Sequence, residues 1–228
     1  MRIPNMSKVK LLDLNEPIYD QRRYKDVLSP ENIVMDLSDE KSKVSFVKYI
    51  ETLVRSSFEY KQLIQFLREK INMNYCAYFN KVNNKINGIT IEIHHEPFSL
   101  YDITYIVLSM FIDYGYPIES AYIAQEVIKL HYYGIIGLIP LSKTVHELTH
   151  AGQIFIPITY VFGDVGQFFL KYMKYMTQQQ KDIIYKSIKL AEKLERTNPH
   201  ILKKQFIYLD VDGMTLPSKI KSKKKHDE

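Results

Sequence analysis

An α+β fold, mostly helical with one small antiparallel β element, is what three observations predict. The stretch "ITIEIHH" (89–95) alternates strictly between apolar and polar residues, the two-residue period of a half-buried strand. Segments on both sides of it (44–70, 101–132 and 165–197) repeat apolar residues at the three- and four-residue spacing of amphipathic helices. Between the last two lies "SKTVHELTH" (142–150), a short helix bounded by Ser142 as N-cap and Gly152 as stop.

The elements follow in chain order. Residues 1–40 carry Pro4, Pro17 and Pro30 without sustained periodicity, which reads as an irregular arm. In 44–70 the apolar series Val44, Val47, Ile50, Leu53, Val54 and then Leu63, Ile64, Phe66, Leu67 predicts two helices broken near Ser56-Ser57. Arm and helical hairpin together make a first region, 1–73. "MNYCAYFNK" (73–81), the turn formers "VNNKING" (82–88) and "ITIEIHH" are then expected to form a β-hairpin whose second strand Pro97 closes. Two apolar helices, about 101–113 and 118–132, flank the turn "YGYP" (114–117). After the short helix come an extended "IFIPITYVF" (154–162), helices at about 165–176 and 178–197, and a strand "KQFIYLDV" (204–211). These form a C-terminal helical region, 153–216, ahead of a basic tail, 217–228, expected to be disordered.

Composition excludes several classes. The longest apolar run, "ITYIVLSMFI" (103–112), is about half the roughly 20 residues that a membrane-spanning helix needs. The opening residues show no apolar signal-peptide core, so a soluble, cytoplasmic protein without a membrane partner is expected. One cysteine, Cys76, forbids an internal disulfide and any zinc site built on several thiolates. A metal must therefore come through His, Asp or Glu. The net charge of +5 is unevenly spread, because "KIKSKKK" (219–225) holds five lysines: Lys219, Lys221, Lys223, Lys224 and Lys225. With Lys143 they are the candidate contacts to a polyanion such as DNA.

Four of the seven histidines fall in two tight groups, His94-His95 at a strand end and His146/His150 on the short helix. Residues four apart share a helix face, so His146 and His150 can offer two imidazoles to one ion. "HELTH" also matches the zinc-peptidase pattern H-E-x-x-H, with Glu147 as the base. Its context is missing, however. The next forty-five residues supply only Asp164, Asp182, Glu192 and Glu195 as acidic third ligands, in no familiar arrangement, and Pro140 and Gly152 confine the helix to about two turns.

A hairpin ending in His-His, a proline two residues later, and a short helix bearing H-x-x-x-H resembles the ββα-metal core of HNH endonucleases, above all the colicin-type nucleases. "GLIPLSKTVHELTHAG" (137–152) is similar to the HNH ending in which Leu-x-x-Leu-Cys precedes Cys-His-Glu-Leu and a final His. Ser142 and Val145 stand where those relatives carry zinc-knuckle cysteines, and the partner pair is reduced to Cys76. The resemblance covers about 74–152, with the helices at about 101–132 as an insertion. It departs at Gly137, which occupies the place of the family's central Asn, and His131 and Asp102 are the nearest substitutes for that residue's orienting work.

The resemblance implies a DNA endonuclease that hydrolyses phosphodiester bonds with one divalent ion (Mg, Mn, Ni or Zn). His94, His146 and His150 would be the metal ligands and His95 the general base. It also implies a phage or mobile-element setting, with residence in the host cytoplasm if phage-encoded. Two alternatives stand beside it: a zinc metallopeptidase using "HELTH", and a non-catalytic nucleic-acid-binding protein on a degenerate HNH scaffold.

Overall fold

A computed structural model describes residues 39–79, 82–85 and 88–197. Residues 1–38 of the expected arm, the strand at 204–211 and the tail lysines Lys219, Lys221, Lys223, Lys224 and Lys225 lie outside these residues, and the arm's last residues, Asp39 and Glu40, begin the first helix. The described part is α+β and mostly helical, with seven α-helices and one two-stranded antiparallel sheet.

Helix α1 (Glu40–Ser56) starts at Asp39, whose carboxylate accepts from the amides of Lys41 and Ser42. Ser57 ends α1 and at once caps α2 (Phe58–Glu69), accepting from the Tyr60 amide. One serine thus makes the break that separates the two helices. Helix α3 (Leu100–Asp113) opens with a capping box between Ser99 and Asp102, and α4 (Ser120–Tyr132) follows the Gly115 turn. Helix α1 packs on both α3 and α4, and Ile50, Val54, Ile106, Val107, Phe111 and Val127 are fully buried there. These helices, expected as an insertion, supply much of the hydrophobic core.

The sheet differs from the expected hairpin. Strand β1 (Ile91–His95) pairs not with residues 73–81 but with β2 (Leu138–Ser142), in the register Ile91↔Ser142, Ile93↔Pro140 and His95↔Leu138. The segment around Cys76 only closes on itself through a Tyr75–Asn83 bridge and lends the Ala77 amide to the Pro140 carbonyl. The physical reason is apolar content: every residue of "LIPLS" is buried, so this stretch claims the central position. Pro140 is tolerated there although it has no N–H to donate.

Helix α5 (Lys143–His150) leaves β2 directly, its first amide donating to the Thr90 carbonyl, and Gly152, with φ of +69°, stops it. Val145 anchors α5 in the core. Beyond it, 154–162 is not a strand: a 3₁₀ turn (Ile158–Tyr160) interrupts it, and only Phe162 bridges to Leu138. Helices α6 (Val165–Tyr172) and α7 (Gln178–Thr197) complete the described chain, joined through a second 3₁₀ turn at Met173–Tyr175.

Candidate metal centre

Alternation along β1 sorts its residues. Ile91, Ile93 and His95 face one way, Glu92 and His94 the other, toward α5. On α5, His146 and His150 lie one turn apart on the face turned to that strand. Their ring centroids stand 4.5 Å apart, and the His94 ring is 4.7 Å from His146 and 4.9 Å from His150. One nitrogen from each of the three rings falls within 4.8 Å of the other two. His94 and His146, 52 residues apart in sequence, are thereby brought to one point.

The spacing fits a shared ion. The Nε2 atoms of His146 and His150 are 2.9 Å apart. Two nitrogens bound at about 2.0–2.1 Å are separated by roughly 2.9 Å at right angles and roughly 3.4 Å in a tetrahedron. Burial is graded from His94, 8% exposed, to His150 at the surface, so the cluster opens to solvent on the α5 side. Burial and the neighbouring rings of His94 and His146 lower the pKa of His150, which favours the neutral ligand form.

Two carboxylates border the rings. Glu92 accepts a hydrogen bond from Nδ1 of His146, and a Glu96 oxygen lies 3.4 Å from His94 Nε2. Sequence reasoning named neither as a site residue, yet the signal was present: both lie two residues from His94, hence on its face of an extended chain.

His95 is not at the cluster. The general base implied by the resemblance required the chain to bend between His94 and His95. Strand β1 instead stays regular through His95, which remains paired with Leu138 and points to the opposite face. There it is 5% exposed, its Nε2 sits 2.9 Å from Nε2 of His131, and its ring stacks on Tyr60. His131 donates from Nδ1 to the Val127 carbonyl, so its Nε2 accepts and the His95 Nε2–H donates. Desolvation, aided by the neighbouring imidazole, holds the His95 pKa well below its ordinary value, and desolvation pushes His131 down to about 4. Both rings are neutral core groups. His131 therefore orients His95 and not a ligand of the cluster.

The remaining sequence candidates are also placed. Asp102 is occupied by the Ser99 cap and by the Gln180 side chain. Gly137 holds no orienting group and has no room for one: a Cβ there would stand 1.9 Å from the Glu96 carbonyl oxygen and 2.7 Å from the Val161 side chain. Lys143 and Glu147, both about two-thirds exposed, face solvent and pair with each other at 3.9 Å. Cys76 and Val145 are buried in the core.

Among known proteins, the family model described as bacteriophage G278-like virion protein matches residues 1–214. Neither the curated proteins nor the solved structures contain a match.

Proposed function

The chain belongs to the bacteriophage G278-like virion protein family, and we propose that within it the His94–His146–His150 cluster binds one divalent transition-metal ion and hydrolyses phosphodiester bonds in DNA. The observation that carries this reading is the convergence of three imidazoles from β1 and α5 with one side left open to solvent. Closed structural sites use four protein ligands, whereas catalytic ones keep a position free. The order strand, strand, helix, with histidines at the end of the first strand and along the helix, supports a ββα-metal core into which α3 and α4 are spliced. A virion protein also shares its particle with packaged nucleic acid.

Three imidazoles favour Zn, Ni or a similar ion over Mg, which prefers oxygen ligands. Bound there, such an ion supplies Lewis acidity toward a phosphoryl oxygen and acidifies water. The chain's own part is to hold it through His94, His146 and His150 and to accept a proton. Glu96, beside His94, takes the acceptor role that His95 is not placed to fill.

Incubating the purified protein with plasmid DNA and Zn²⁺, Ni²⁺, Mn²⁺ or Mg²⁺ tests this. His94→Ala and His146→Ala are expected to abolish cutting, and Glu96→Gln to lower it by about 10² or more, the usual worth of a positioned base. Glu147→Gln should leave cutting intact. A protein that degrades denatured casein, and loses that activity in Glu147→Gln, would instead be the metallopeptidase. Family membership among virion proteins favours a second reading, a non-catalytic centre in a particle component, which predicts metal binding without turnover of either substrate.

A further inference from the structure

We propose that Glu92 is a positioning residue: its carboxylate fixes His146 as the Nδ1–H tautomer and so presents the Nε2 lone pair to the ion. This rests on the reading of the cluster as a metal site.

The placement is built into the sheet. Glu92 is paired with Leu141, one register step from Ser142, where β2 passes into α5. Side chains of β1 on the Glu92 face therefore point under the first turn and a half of α5, where His146 stands. There the Glu92 carboxylate meets Nδ1 of His146. A carboxylate only accepts, so the hydrogen in that contact resides on Nδ1, and in the neutral ring the opposite nitrogen keeps its lone pair. That opposite nitrogen is the one 2.9 Å from Nε2 of His150. The two nitrogens thus hold a ligand-like spacing before any ion arrives. Carboxylates behind ligating imidazoles orient the ring and raise its basicity, and their loss weakens metal affinity by about 10- to 100-fold.

His146 is about one-quarter exposed and Glu92 about one-third, so substitution at Glu92 does not open the core. Two readouts are required. In the ion-free protein, long-range ¹H–¹⁵N NMR of the imidazoles reports the His146 tautomer. Competition against a chromophoric chelator gives the zinc dissociation constant. The expected result is an Nδ1–H tautomer in the parent chain, lost in Glu92→Ala together with a 10- to 100-fold weaker dissociation constant. Glu92→Gln retains a carbonyl acceptor, so it should keep the tautomer and lose less affinity. An unchanged tautomer and affinity in Glu92→Ala would overturn the proposal. Failure of the parent chain to bind zinc would overturn the metal site itself, whereas the tautomer comparison, made without ion, still decides the role of Glu92.

Discussion

Gly137 is the residue on which the site's geometry turns most directly. Its carbonyl accepts from the Glu96 amide while the Glu96 carbonyl passes within 1.9 Å of where a Cβ would be, so the end of β1 and the start of β2 touch through bare backbone. Gly137→Ala must push the strands apart beside His94. The expected cost is about 3 kcal/mol, the upper range for overpacking, measured by urea denaturation, with a weakened zinc affinity accompanying it. The same contact leaves no room at Gly137 for the asparagine that the HNH resemblance would put there.

Single elements are held by caps whose partners reach across the fold. Asp102 closes the capping box of α3 through one carboxylate oxygen and takes the Gln180 amide of α7 through the other. Removing it by Asp102→Ala breaks both links and should cost about 1–2 kcal/mol. Zinc affinity should be unchanged, because Asp102 serves helices and not the cluster. A fall in affinity without a fall in stability would restore the orienting role that sequence reasoning considered for it. Helix α5 is secured differently: Ser142 makes no side-chain cap bond, and the helix hangs on the Lys143 amide to Thr90 and on buried Val145.

Two behaviours belong to the whole molecule. His95 and His131 are neutral and fully enclosed in the native state, with His131 held at about 4, whereas an unfolded chain takes up protons near 6.5. Between those values the unfolded state binds more protons, so stability falls as pH drops from about 6.5 toward 4, by about 3 kcal/mol for His131 alone. Denaturant midpoints across that range check this, and His131→Gln should flatten the slope. The second behaviour is linkage. Zinc at 100 times its dissociation constant should stabilise the native state by about 2.7 kcal/mol. At this chain length that raises Tm by about 5–10 °C, and His150→Ala should remove most of the shift.

Local periodicity alone determined the helices, the strand carrying His94 and the pairing of His146 with His150, because spacing along one element obeys rules that neighbours do not alter. It also held the fact that His94 and His95 face opposite ways, and a regular strand keeps them so. Which strand pairs with β1 was decided only by the tertiary structure. Residues 73–81 offered the nearer partner, but the fully buried "LIPLS", more than forty residues downstream, offered more apolar surface to cover. That competition is settled by burial across the whole core, a quantity no local window contains. Through it came everything that makes the cluster: the reach of α5 over β1, the Glu92 contact, and the turning of His95 into the interior beside His131.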